Sequence, residues 1–186
     1  MPEETEPPDQ GRQHRVFIAL WPEAAVRDQL VRVARRLPGG GRMVPPGHLH
    51  LTLAFPGNVP TDRVDCLVAG LDRLRTRPIP LVLDRVGHFS GARVAWIGPS
   101  RVPAALQQLA GAAHQLCADC DIEIEGRRFV PHVTLRRGAT VPAARHFHPV
   151  PVRFRWCTNS VALIESGDNG RPGPYRVVAR VGRSAR

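Results

Sequence analysis

Two short phrases, His50-Leu51-Thr52-Leu53 and His132-Val133-Thr134-Leu135, each set a histidine and a threonine two residues apart in an apolar, strand-like run. Side chains alternate across a β-strand, so the His and Thr of each copy share one face and Leu51, Leu53, Val133 and Leu135 take the other. Each copy therefore presents one imidazole together with one hydroxyl. Two such pairs brought face to face would surround a small anion with two proton-transfer groups and two hydrogen-bond donors, which is a site for phosphate chemistry. With eight His and seven Thr in 186 residues, chance supplies roughly 0.3 such triplets, so the repeat is suggestive and its context must add weight. Both copies lie in β-rich stretches, HLHLTLAF and FVPHVTL, that follow proline-containing segments where a strand would begin.

The surrounding pattern predicts the elements that position these phrases. Residues 14–21 read as a strand, and Pro22-Glu23 opens an amphipathic helix to Leu37 that Pro38-Gly39-Gly40-Gly41 closes. After the first His-Thr strand, Thr61 is the expected cap of a helix to about Arg75, with Val64, Leu67, Val68, Leu71 and Leu74 on one stripe. Strands follow at IPLVLDRVGHF and ARVAWIG, and this half ends near Gly98. The second half opens with a helix from about Val102 to Cys117 and reaches the second His-Thr strand through IEIEG and Arg127-Arg128-Phe129-Val130-Pro131. A loop over 138–149 precedes strands at VPVRFRW, NSVALIES and YRVVARV. Helix-then-strand order recurs in both halves, as suits a duplicated α+β unit folded about a pseudo-twofold axis.

Composition bounds the class. A chain of 186 residues with 42% apolar content is long enough for one cored domain or one domain of two similar lobes. Residues 1–13 are acidic and Pro-rich and read as a disordered leader, with a single domain over 14–186. No apolar run reaches a membrane span and no secretory signal is evident, which points to a cytoplasmic protein without membrane attachment. Cys66, Cys117, Cys120 and Cys157 accordingly read as reduced thiols, the Cys117–Cys120 pair lying semi-buried at a helix end. The net charge is +10 and all 26 basic residues are Arg. Arg matches phosphate with a planar fork of donors, which favours a polyanionic partner such as RNA. Without Lys, the chain cannot be a ligase that loads a nucleotide onto a lysine amine.

RVFIALWP, VPPGHLHLTLAFPGNVP, the GHF of residues 87–89, RRFVPHVTL and SVALIES together resemble the 2H phosphoesterase superfamily, in its RNA 2′,3′-cyclic phosphodiesterase branch, formerly called 2′-5′ RNA ligase. The likeness runs from about Arg15 to Val181. It implies an α+β, bilobal fold in which two antiparallel sheets line a central cleft, helices cover the outer faces and each lobe supplies one His-x-Thr. It also implies no metal or other cofactor, and a substrate that is RNA or an oligonucleotide ending in a 2′,3′-cyclic phosphate, opened to a 2′-phosphate. The catalytic pairs then fall on His50 with Thr52 and His132 with Thr134. The family often carries an Arg shortly after the second motif, which aligns with Arg137, whereas strict alternation puts Arg136 on the His132 face and only a bulge would bring Arg137 there. Two departures, Phe55-Pro56-Gly57 in place of Phe-Leu-Gly and Arg136 in place of a small residue, bear on how RNA lies in the cleft.

In-line opening of a cyclic phosphodiester needs one group to take a proton from water and another to give one to the departing ribose oxygen. Imidazole, with an ordinary pKa of about 6.5, can serve as either near neutrality. The resemblance implies His132 as base and His50 as acid, while the residues themselves are symmetric on the point. Thr52 and Thr134 are expected to bind the non-bridging oxygens, Phe89 to stack a base, and Arg127 and Arg128 to contact phosphate. Phe17 and Trp21 read as core, Tyr175 as either core or site, and His146 and His148 as exposed. A zinc site of His48, His50 and His132 would leave the paired Thr without a use. The alternatives are a related activity on another cyclic phosphate, reversible 2′-5′ joining, or a module that grips RNA ends without turnover. The expected form is a monomer.

Overall fold

The computed structural model describes residues 11–126, 128–140, 153–168 and 171–182. Most of the expected leader, Arg127, His146, His148 and most of the 138–149 loop lie outside the described residues. β1 (Gln13–Leu20) alternates: Val16, Ile18 and Leu20 enter the main core, and Phe17 and Ala19 face the other way with Ala162 and Ile164. α1 (Ala24–Arg36) buries Val26, Leu30, Val33 and Ala34 along one stripe and ends on Arg35 and Arg36, whose charge suits the C-terminal end of the helix dipole. After the Gly39-Gly40-Gly41 turn come β2 (Arg42–Met43) and β3 (Leu51–Pro60).

α2 (Thr61–Gly70) is shorter than the hydrophobic stripe predicts, and Leu71–Leu74 continue it as a 3₁₀ turn. Gly70 sits where α2 meets the next long helix: a Cβ there would lie 2.3 Å from Leu116. Thr61 does not cap the helix. Its hydroxyl instead meets His14 Nε2 at 3.1 Å, and His14 Nδ1 donates to Glu165 at 2.5 Å. Burial pushes the Glu165 carboxyl up, but the hydrogen bonds from His14 and Arg176 outweigh it and hold the group below the usual carboxylate range.

β4 (Ile79–Leu83), β5 (Arg85–Phe89), β6 (Val94–Gly98), α3 (Ala104–Asp119), β7 (Val133–Arg137), β8 (Phe154–Thr158), β9 (Val161–Asp168) and β10 (Arg171–Val181) complete the described elements. The fold is α+β with two antiparallel sheets, β4 with β8 and an eight-stranded array in the order β10-β9-β1-β3-β7-β6-β5 with β2 added to β7. The large array is two four-stranded halves joined at the β3–β7 seam, where Leu51 and Val133 are the paired residues. These halves are not the two halves of the sequence. β3 pairs with β1, which pairs with C-terminal β9, whereas β7 pairs with β6 and β2 from the first half. α1 packs on β7 and α3 on β3, so the helices cover the face into which Leu51, Leu53, Val133 and Leu135 point. None of the helices among the described residues is long and apolar enough to cross a membrane.

The expectation of four reduced thiols is corrected for two of them. Cys66 on α2 and Cys120 at the end of α3 form a disulfide, with Cα atoms 5.9 Å apart, because the two helices pack side by side. Sequence spacing drew attention to Cys117 and Cys120, which are near in the chain, and could not show the neighbour 54 residues away. Cys117 remains a buried thiol whose pKa is pushed up to about 12 by burial, and Cys157 is exposed and free. The bond closes a long loop of the unfolded chain, so reductant should lower unfolding stability by roughly 2–4 kcal/mol. Denaturant titration with and without dithiothreitol checks this, and Cys66→Ser should abolish the difference between the two curves.

Candidate active site

His50 and His132 each stand at the residue before a strand, with Thr52 and Thr134 two positions on, and the intervening Leu51 and Val133 fully buried. Because Leu51 pairs with Val133 in antiparallel register, one step either way sets His50 opposite Thr134 and Thr52 opposite His132. The four polar side chains thus surround one local twofold axis through the seam. All four line a single cavity of about 930 Å³.

The two imidazoles are held by the same device. His50 Nδ1 donates to the His48 carbonyl at 2.7 Å, and His132 Nδ1 donates to the Val130 carbonyl at 2.7 Å. In both cases the acceptor is the carbonyl two residues upstream, so the Nδ1 proton is committed and Nε2 is the nitrogen left for chemistry. Aromatic rings fix the ring planes. Phe17 stacks on His50 at 4.6 Å, and Phe89 meets His132 edge-on at 4.9 Å. Phe17 is 2% exposed, so its reading as core holds, but its ring is also the wall of the site. Trp96 packs against Phe89 and occupies the space a side chain at position 87 would need, since a Cβ on Gly87 would lie 2.1 Å from the indole.

Burial is the main influence lowering the His50 pKa, opposed by its bond to the His48 carbonyl and reinforced by the positive charge of Arg137, and it settles at about 4. His132 is also lowered, first by burial and then by Arg137, against the opposing bond to Val130. Arg15, Arg128 and Arg137 line the cavity, and no carboxylate does among the described residues. Burial and Arg137 together therefore favour the neutral form of both imidazoles near pH 7, in a basic enclosure that favours an anion.

The structure separates the two arginines that alternation left open. Along β7, Trp96 pairs with Thr134 but Ala95 pairs with Arg136, so Leu135 is the extra residue of a bulge. The bulge reverses the alternation beyond it. Arg137 comes into the cavity, and Arg136, the residue strict alternation favours, turns away to donate to the Ala34 carbonyl at 2.8 Å and the Gly40 carbonyl at 3.0 Å. Phe89, expected from the sequence to stack a base, and Arg128, expected to contact phosphate, both line the cavity. His48 stacks its ring on Tyr175 at 4.0 Å, and Tyr175 reaches the cavity wall as well. Sequence reading missed Arg15, which lines the cavity from β1 while donating to Ser166 at 2.7 Å and lying over Phe55. Its signal was its alternation with Phe17, readable only once the face of Phe17 is known.

The family described as LigT like Phosphoesterase matches residues 20–96. An Escherichia coli protein named RNA 2′,3′-cyclic phosphodiesterase is 35% identical over 148 residues, covering 76% of this chain and 80% of that protein. A Thermus thermophilus protein of the same name is 31% identical over 178 residues, covering 89% of this chain and 88% of its own length. The crystal structure of Escherichia coli LigT complexed with 3′-AMP superposes with a TM-score of 0.79 at 29% identity, over 93% of this chain and 99% of that one.

The differing placement of the two arginines generates a direct expectation for anion binding. Arg137→Ala should weaken inorganic phosphate binding by about tenfold or more, as expected for a lost charge-assisted contact. Arg136→Ala should leave that affinity within about twofold and lower the unfolding midpoint instead, because it strips two carbonyls of their donor. Calorimetric titration with phosphate, beside thermal unfolding of each variant, checks both.

Proposed function

The chain belongs to the LigT-like phosphoesterases, the family of the RNA 2′,3′-cyclic phosphodiesterases, and from that membership we propose that it opens 2′,3′-cyclic phosphate ends of RNA to 2′-phosphates with its two histidines. The observation that carries the reading is the pair of imidazoles on one cavity, each with Nδ1 pinned by a carbonyl and Nε2 left for the reacting atoms. Water attacks phosphorus opposite the 3′ oxygen. His132 Nε2 takes the water proton, the bond from phosphorus to the 3′ oxygen breaks, and His50 Nε2 delivers a proton to that oxygen. Both nitrogens then exchange protons with solvent to restore the starting state.

Thr52 and Thr134 donate to the non-bridging oxygens, and Arg137 offsets the charge that builds on them in the transition state. The cyclic phosphate is an anion placed between two imidazoles. It stabilises the protonated form of the acid and so reverses part of the depression that burial imposes on the imidazoles. Phe89 offers a face to the terminal base, and Arg128 contacts the strand. The site is complete in one copy of the chain, which supports a monomeric enzyme. An RNA substrate supports a cytoplasmic one, a compartment that the Cys66–Cys120 bond does not by itself favour.

Incubation with RNA ending in a 2′,3′-cyclic phosphate, in a strong chelator and without nucleotide triphosphate, should yield a 2′-phosphate end, and an unchanged cyclic end would overturn the reading. His50→Ala and His132→Ala should each lower kcat by about 10²- to 10⁴-fold, and Thr52→Val or Thr134→Val by about 10²-fold. The pH dependence has a definite sign. The free-enzyme imidazoles both lie below the ordinary value, so kcat/KM should describe a bell with its maximum below about pH 6.5. The kcat bell should lie at higher pH, because bound phosphate favours the charged acid. Superimposable profiles, or a monotonic rise from pH 5 to pH 9, would contradict the scheme.

A further inference from the structure

A second cavity of about 500 Å³ adjoins the first and shares Arg15, Arg137 and Tyr175 with it as a common wall. We propose that it is a second-nucleotide subsite, which takes the phosphodiester on the 5′ side of the terminal nucleotide and gives the enzyme a preference for oligonucleotides over mononucleotides. This rests on the cyclic-phosphate reading of the first cavity. Arg42 and Arg137 are direct cross-strand partners on β2 and β7, and both line the second cavity. Like charges placed opposite one another on an antiparallel pair repel. Neither guanidinium has a carboxylate partner among the described residues, and no carboxylate among them lines this cavity. Arg15 reaches the same space, with one nitrogen already bound to Ser166.

Three guanidiniums around one small cavity are unfavourable until an anion enters, and a phosphodiester offers two acceptor oxygens to their forks. Part of the lining is aromatic. His48 and Tyr175 stack with ring planes 13° apart, and both line the cavity, a surface against which a ribose or base can lie. Because Tyr175 and Arg137 belong to both cavities, a strand with its cyclic end beside His50 and His132 continues past Tyr175 into the second. A mononucleotide leaves this space unfilled.

The test compares adenosine 2′,3′-cyclic phosphate, its 5′-phosphorylated form and the dinucleotide ApA with the same cyclic end. For the wild-type chain, kcat/KM should be about tenfold or more higher for the dinucleotide than for the unphosphorylated mononucleotide, as charge-assisted contacts predict. The 5′-phosphorylated mononucleotide should recover much of that gain. Arg42→Ala should bring the dinucleotide-to-mononucleotide ratio near one, and Arg42→Lys should retain part of it. Equal kcat/KM for all three substrates, a gain that needs the second base but not the phosphate, or a ratio untouched by Arg42→Ala would each overturn the subsite. Failure to turn over any of the three would overturn the cyclic-phosphate reading instead. The subsite would then still be decided by the affinities of adenosine 2′-phosphate and of ApA ending in a 2′-phosphate, measured by titration, which need no turnover.

Discussion

The backbone pairing of Leu51 with Val133 is the interaction on which the rest of this structure depends. It joins two four-stranded halves that otherwise build themselves from different parts of the chain, and it does so at the middle residue of each His-x-Thr phrase. Strand alternation then leaves no freedom: with Leu51 and Val133 driven into the apolar core, both histidines and both threonines must face the cleft. A slip of one residue on either strand would bury an imidazole among leucines and expose a leucine to phosphate. The hydrophobic effect that stabilises the fold is thus also what aims the chemistry.

Around that seam the molecule concentrates positive charge, with no carboxylate lining the cleft among the described residues. Arg15, Arg128 and Arg137 line the cleft, and burial and Arg137 together disfavour the imidazolium form of both histidines. The His14–Glu165–Arg176 cluster is the opposite case, where a buried carboxylate receives donors from β1 and β10. The contrast is physical. A paired arginine holds structure together, whereas unpaired ones in a shared pocket store an attraction for whatever anion arrives.

Much of this was legible in the residues. The repeated phrase, the face each side chain takes, the helices on their apolar stripes and the resemblance to a family were all local patterns, and local patterns are what a sequence displays. The misses share a cause, which is that they depend on partners distant in the chain. The bulge at Leu135 arises from how β6 meets β7, so Arg136 was a fair candidate by alternation and Arg137 is the residue in the cavity. Thr61 has the chemistry of a cap and spends its hydroxyl on His14. Cys120 has a nearby thiol at Cys117 and bonds to Cys66. Arg15 needed the face of Phe17, and that face is set by β9 and β10.

The interleaving of the halves has a consequence for how the molecule comes into being. β1 is made well before its partner β9, with Phe17 opposite Ile164 across the sheet. During synthesis the wall behind His50 is incomplete until β9 and β10 have been made, so the emerging polypeptide carries its first His-Thr phrase before its sheet can close. Contacts of such long sequence separation fold slowly, because the loop must close before any pairing rewards it. The cleft therefore closes only once β9 and β10 have joined β1 in the sheet.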